Sequence, residues 1–303
     1  MNALETASLT KVWGRVKAVN AVSMHVENGA IYGLVGDAGS GKTTLLSLAS
    51  GLMAADTGEV ILFGNRSTRY SRTRVGAMLG PQSTIGYLTA LDNLMIKALA
   101  SGLVDARARC IEVLDTLGVN DIKVRVRYSS VDQRVRIRIA LALVNRPDLL
   151  LLDEPFVGLD SRSSLELSST LLTLNEETGI TIVMASRRIG WLQSMATHYG
   201  VLKQGRLQRE VSTTRLLVEC DGSIRLRTVD LPRVMVLLEE SLGPDCIESC
   251  RDMMTGEDYL CIRDTDEYLL SGLLHDMDAE VLEMYRSRRS PEEVLLDGAR
   301  DSS

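Results

Sequence analysis

Gly36-Asp37-Ala38-Gly39-Ser40-Gly41-Lys42-Thr43 sits between the apolar run Ala30–Val35 and the helix-like stretch Thr44–Ser50, which predicts strand, loop and helix in that order. The string satisfies G-x-x-x-x-G-K-[ST] at every position. Gly36, Gly39 and Gly41 allow backbone angles closed to other residues, so successive N–H groups can converge on phosphate oxygens at a helix N-terminus. Lys42 is placed to reach the β- and γ-phosphates, and the Thr43 hydroxyl to ligate magnesium. Asp37, Ala38, Ser40 and Thr44 complete the loop and the first turn behind it.

About a hundred residues later comes a second decisive string, Leu149-Leu-Leu-Leu-Asp-Glu-Pro155. Four leucines predict a strand buried on both faces, and two carboxylates stand at its C-terminal end, where open parallel sheets place their ligand contacts. Asp153 would face the metal. Glu154 would polarise an attacking water, the base role in phosphoryl transfer. Together the strings imply a P-loop protein of α/β class that binds a nucleoside triphosphate with Mg2+.

The chain has 303 residues, of which 45% are hydrophobic and 24% charged, a composition ordinary for a globular protein with room for two domains. No apolar run approaches the roughly 20 residues a bilayer span requires, and the first residues, MNALETASLTKVWG, carry no signal-peptide core. The expected location is therefore the cytosol or a membrane face. Five cysteines without a C-x-x-C pair signal neither a disulfide framework nor a zinc site, and His25, His198 and His275 have no ligand spacing. Charge divides unevenly: residues 1–215 hold 25 basic against 19 acidic side chains, and 216–303 hold 9 against 21. The acidic balance argues against nucleic acid as a partner. The basic stretches Lys123–Arg127 and Arg134–Arg138 alternate with Val and Ile, as the solvated face of packed elements does.

Strands are expected near 9–13, 19–26, 30–35, 60–63, 75–79, 149–152, 181–185 and 199–203. From about 83 to 146 the apolar spacing turns helical, with Leu91, Leu94, Met95, Ala98 and Leu99 on one stripe and Ile111, Val113, Leu114 and Leu117 on another. Residues 1–210 thus form a nucleotide-binding domain with a helical subdomain. Residues 216–303 read strand, helix, strand, strand, helix, strand and a last helix from Ser290, the order of a small α+β ferredoxin-like module.

Over residues 4 to 208 the chain resembles the ATP-binding subunits of ABC transporters, and the stretch LTKVWGRVKAVNAVSMHVENGAIYGLVGDAGSGKTTLLSLASGLMAADTGEVILFG carries the likeness. Within that family the tail of the chain is similar to bacterial bacitracin and lantibiotic exporter subunits. The resemblance implies that Trp13 stacks on adenine, the alternative being a core aromatic. It also implies that Gln82 touches magnesium or the attacking water, and that Asp160 lies at the interface between two such domains. Separate integral-membrane permease subunits and a second ATP-binding domain follow as partners, and the location becomes peripheral at the inner face of the membrane. Tyr87 and Leu88 are candidates for the docking contact or for burial within the insert.

Two departures from the family pattern stand out. The signature L-S-G-G-Q falls on Ser129-Ser130-Val131-Asp132-Gln133, where Ser130 and Gln133 remain and both glycines are replaced. Val131 adds a β-branched side chain, and Asp132 a charge that repels phosphate. After strand 181–185, Arg187 stands where the family has a histidine that contacts the γ-phosphate and the acid. Arginine donates to phosphate but accepts nothing; it either pairs with Glu154 or points to solvent. The expected function is an MgATP-hydrolysing exporter subunit with impaired turnover. The alternative is a nucleotide-binding regulatory or assembly subunit.

Overall fold

The computed structural model describes residues 1–66, 68–80, 84–220, 222–251, 258–263, 265–287 and 289–297. Its first half begins with β1 (Asn2–Trp13), β2 (Val16–Glu27) and β3 (Ile31–Val35), followed by α1 (Lys42–Ala49). Next come β4 (Thr57–Leu62), β5 (Asn65–Arg66), α2 (Arg69–Thr73) and β6 (Val75–Met78). Three helices follow, α3 (Ala90–Ala100), α4 (Ala106–Thr116) and α5 (Val131–Leu143), then β7 (Leu149–Asp153), α6 (Ser161–Thr178), β8 (Thr181–Ser186), β9 (His198–Lys203) and β10 (Arg206–Ser212).

These strands make two sheets. β2-β1-β4-β5 is antiparallel, and β10-β9-β3-β8-β7-β6 is parallel apart from β10 at its edge. The central strands of the second sheet are covered on both faces, which is why they read as unbroken apolar runs: every residue of β3 and β8 is buried, and Leu149 to Leu152 are fully so. One cluster joins the sheets through Leu4, Met24, Leu34, Leu45, Leu149 and Leu151, among others. Packing α1 against both sheets by Leu45, Leu46 and Leu48 fixes the loop before it.

Several elements depart from the sequence expectation. β1 and β2 are twelve residues each because register shifts let the long hairpin bend and continue. β10 has the polar sequence RLQREVS and exists because β9 supplies a ladder for it; this carries the sheet past residue 210. On α3, Leu99 is exposed while Asn93 is buried, its amide donating to the Ile85 and Thr89 carbonyls and its oxygen accepting from the Ile85 N–H. The basic stretch Arg134–Arg138 is not a solvated face: Arg136 is 5% exposed and Arg134 and Arg138 are half-buried.

The chain divides into two compact units, residues 1–213 with 295–303, and residues 214–294. The second contains α7 (Thr213–Cys220) from its second residue on, then β11 (Ile224–Thr228), α8 (Leu231–Leu242), β12 (Ile247–Arg251), β13 (Asp258–Ile262), α9 (Glu267–Asp276) and β14 (Val281–Arg286). A last helix, α10 (Pro291–Asp297), begins there. Its sheet has the order β12-β13-β11-β14 with every neighbouring pair antiparallel. Ile224, Leu226, Leu260 and Ile262 pack against Val234 and Leu238 of α8 and Leu270 and Leu274 of α9. Alternation along β11, buried at 224, 226 and 228, marks one face as core.

Candidate functional site

The loop between β3 and α1 folds around two glycines that no other residue can replace. A Cβ on Gly36 would stand 2.2 Å from the Leu202 carbonyl oxygen, and one on Gly41, at φ 106°, would stand 2.1 Å from that of Ala18. Gly41 also occupies the position before α1 and leaves the helix without a side-chain cap, so its first amides keep no internal acceptor. They are positioned for an anion.

Lys42 is 6% exposed and folds back under this loop, its Nζ donating to the carbonyls of Gly36 at 2.5 Å and Asp37 at 2.9 Å and lying 3.4 Å from Ser40 Oγ. Burial lowers the lysine pKa, Glu154 and Asp153 oppose that shift, and the nearby charge of Arg187 adds to it. The negative charge of a triphosphate chain would offset the cost of keeping this ammonium charged.

Thr43, the second residue of α1, donates from Oγ1 to Asp153 Oδ2 at 2.7 Å, joining the loop to the end of β7. Asp153 Oδ1 is buried without any partner. A buried carboxylate oxygen left unpaired is costly, and an oxygen-seeking divalent cation is the group that this donor set suits; the residues fit magnesium. Glu154 follows with φ 50°, an angle that costs a non-glycine residue energy, and its N–H donates to Ala185 O at 2.9 Å. This turn lifts the carboxylate off the strand end toward Arg187. Arg187 N lies 3.4 Å from Glu154 Oε2, and its Nε 3.3 Å from Oε1. Of the two readings for Arg187, the pair with Glu154 is therefore the one present.

A cleft of about 380 Å³ runs over these groups, lined by Ala18, Ala38, Gly39, Ser40, Gly41, Lys42, Thr43, Thr44, Glu154, Val157 and Arg187. An adjoining hollow of about 430 Å³ shares Glu154, Val157 and Arg187 and extends to Phe156 and Trp191, whose rings stack at 6.1 Å.

The structure thus brings the phosphate loop, both carboxylates and Arg187 together. It leaves Trp13, Ser130, Gln133 and Asp160 outside the lining of that cleft. Trp13 is no core aromatic: it is 54% exposed at the end of β1, with Lys11 Nζ 5.5 Å from its ring centre. Ser130 caps α5 by accepting from Gln133 N at 3.2 Å, and Asp160 caps α6 by accepting from Ser163 N at 2.7 Å, a bond that holds its carboxyl below the usual range. Tyr87 is 66% exposed and Leu88 half-buried. Gln82 lies outside the described residues.

The surroundings of Asp132 differ from the sequence expectation. Asp132 does not stand as a bare charge: Arg136 Nε donates to both its oxygens at 2.8 and 2.9 Å, while Nη1 reaches Leu117 O at 3.0 Å. The i, i+4 spacing of acid and base was the available signal. Val131 meets the turn after β7, where a Cβ on Gly158 would come 3.2 Å from its Cγ1.

The ABC transporter family model matches residues 19–157. The uncharacterized ABC transporter ATP-binding protein YcbN of Bacillus subtilis is 33% identical over 243 residues, 79% of each chain. The bacitracin transport ATP-binding protein BcrA of Bacillus licheniformis is 30% identical over 241 residues, 78% of each chain. Among solved structures, the dimeric post-hydrolysis state of the ATP-binding cassette MJ0796 bound to ADP and phosphate aligns with a TM-score of 0.63 at 25% identity, covering 69% of this chain and 98% of that one. The chain belongs to the ATP-binding proteins of the ABC transporter family. It is an ABC-type ATPase, the subunit that drives transport, and no helix among the described residues is long and apolar enough to cross a membrane.

Proposed function

We propose that this chain powers an exporter of the bacitracin or lantibiotic type, working at the inner face of the cell membrane on separate integral-membrane permease subunits and paired with a second ATP-binding domain. The observation that carries the catalytic half of this reading is the Thr43–Asp153 contact with its unpartnered carboxylate oxygen, set beside Lys42. Lys42 and the loop amides would hold the triphosphate. Thr43 and Asp153, with Gln82, would hold magnesium, which supplies charge neutralisation at the phosphate oxygens when bound. Glu154 would receive the proton of the attacking water.

Trp13, exposed and flat, suits an adenine platform. Ser130, Gln133 and Asp160 would act across the boundary to the second ATP-binding domain, which accounts for their distance from their own chain's cleft. Nucleotide binding survives in this scheme and hydrolysis is slow, because Val131 and Asp132 crowd the signature and Arg187 occupies the acid. The second reading, a nucleotide-binding regulatory or assembly subunit, is favoured by that same Arg187–Glu154 pair. The ferredoxin-like module after residue 216 serves binding or dimer stabilisation. ATP turnover by the chain reconstituted with its permease separates the readings: the motor predicts turnover abolished by Glu154→Gln and Lys42→Ala, the regulator a rate indifferent to Glu154→Gln. Replacing Arg187 by His together with Val131→Gly and Asp132→Gly is expected to raise turnover.

A further inference from the structure

The sheet of residues 214–294 has one face packed on α8 and α9 and a second face turned away from them. Strand pairing places Cys261 opposite Glu248 on one side and Arg225 on the other, and Cys250 opposite Tyr259. Leu260 and Ile262 belong to the core, so Tyr259 and Cys261 lie on the second face, as Arg225 does between Ile224 and Leu226. Cys250 and Cys261 are therefore diagonal neighbours there. The two thiols hydrogen-bond to each other; burial and then that bond push Cys250 up to about 11, and the charge of Arg225 works against the rise. Two other arginines of this face are taken, Arg227 by Glu283 at 3.3 Å and Arg263 by Glu248. Arg225 is different. Its guanidinium lies 4.7 Å from the Tyr259 ring centre, its Nε is buried without a hydrogen-bond partner, and it makes no ion pair among the described residues. Glu248 and Tyr285, which flank Cys261 and Arg225, are exposed and leave a route from solvent.

We propose that Cys250 and Cys261 form a two-coordinate site for a monovalent thiophilic cation, copper(I), held as a bis-thiolate whose negative charge is met by Arg225. Sulfur donors select soft ions such as copper(I) and zinc. Zinc takes at least three protein ligands, and no group of three His, Cys, Asp or Glu side chains suited to a metal exists among the described residues. Copper(I) is satisfied by two. Charge points the same way: two thiolates and one Cu+ make a monoanion, which needs a cation beside it in a half-buried place, whereas two thiolates on zinc would be neutral. Binding balances as two S–H bonds breaking, two S–Cu bonds forming and both protons passing to solvent, with no oxidant involved. A direct disulfide fits less well. Diagonal neighbours stand about 7–8 Å apart, at or beyond the roughly 7 Å at which Cα atoms are too distant for S–S closure without backbone movement, and an ion between the sulfurs spans the extra length. Once bound, the ion ties the edge strand β12 to β13. The site is independent of the nucleotide reading above.

The test titrates the full-length protein, reduced and free of oxygen, with copper(I) supplied as its coloured bicinchoninate complex, so that copper taken by the protein is read as loss of colour. Wild type and Cys246→Ser should each remove one equivalent. Cys250→Ser and Cys261→Ser should each lose it, their affinity falling by more than about 100-fold, while Arg225→Gln should keep the stoichiometry and bind about 10-fold more weakly, as for an outer partner of a metal site. X-ray absorption at the copper edge of the loaded wild type should show two sulfur neighbours and no others, a readout that depends on no variant. No copper withdrawn by wild type, an equivalent that survives in either serine variant, or a loss spread over all five cysteines overturns the site. So does copper with three or more neighbours, or wild-type affinity in Arg225→Gln. Matching far-ultraviolet circular dichroism confirms that the proteins compared share one fold.

Discussion

Replacing Asp132 by glycine should destabilise this protein. Arg136 is buried, and its Nε hydrogen bonds, 2.8 and 2.9 Å, both end on Asp132. Removing one partner of a buried ion pair costs about 3–5 kcal/mol. The discount is substantial, because Asp132 is 23% exposed and Arg136 keeps the Leu117 carbonyl and a longer contact to Glu166 at 3.5 Å; about 1–2 kcal/mol remains. Glycine in place of aspartate in the first helical turn adds a few tenths of a kcal/mol, for a total of about 1–2.5 kcal/mol. In a unit of this size each kcal/mol moves the melting temperature by about 2–4 °C, so a fall of about 2–10 °C is expected. Both tryptophans, Trp13 and Trp191, lie in the unit that contains Asp132, so thermal unfolding followed by tryptophan fluorescence reads that unit. Asp132→Asn, which still accepts one bond, should fall less. A melting temperature for Asp132→Gly within about 1 °C of wild type would refute the idea that Asp132 anchors the guanidinium.

Three further outcomes follow from the same geometry. Gly41→Ala drives a Cβ to 2.1 Å from the Ala18 carbonyl at a left-handed backbone angle, so nucleotide binding should be lost even where circular dichroism shows a folded chain. Asp56 accepts from Lys11 Nζ and Val12 N, bonds that hold its carboxyl below the ordinary range, the lysine bond being the larger cause. Because the folded-state value is depressed, the stabilisation is present above the unfolded value of about 3.9 and is lost as pH falls through the lower one. The gap in melting temperature between wild type and Asp56→Asn should thus be full at pH 7 and close below about pH 4. Asp160→Ala should lower the melting temperature by removing the α6 cap, and Asp160→Ser should restore most of it.

What was legible in the chain and what was not have physical reasons. Strands β3 and β7 are buried on both faces, so their runs of apolar residues announce them, and the Gly-rich and acidic strings that follow fix the ligand chemistry at their ends. β10 was invisible because its stability comes from the ladder offered by β9, and no apolar pattern accompanies that. The arginines of α5 looked like surface because charge usually means solvent; burial of Arg136 becomes tolerable only once Asp132 and the Leu117 carbonyl are brought to it. The approach of Arg187 to Glu154 depends on two strand ends, β7 and β8, being neighbours in the sheet, a fact of pairing rather than of composition.

The central claim is that a triphosphate rests between the amides before α1, the Lys42 ammonium and a metal held by Thr43 and Asp153. Isothermal titration of the purified protein with the β,γ-imido analogue of ATP and magnesium tests it most directly. Saturable binding that weakens on the order of 10- to 100-fold in Lys42→Ala, the loss of a charged hydrogen-bond donor, is the expected result. Equal affinity of wild type and Lys42→Ala, or no heat of binding at millimolar magnesium, would contradict it.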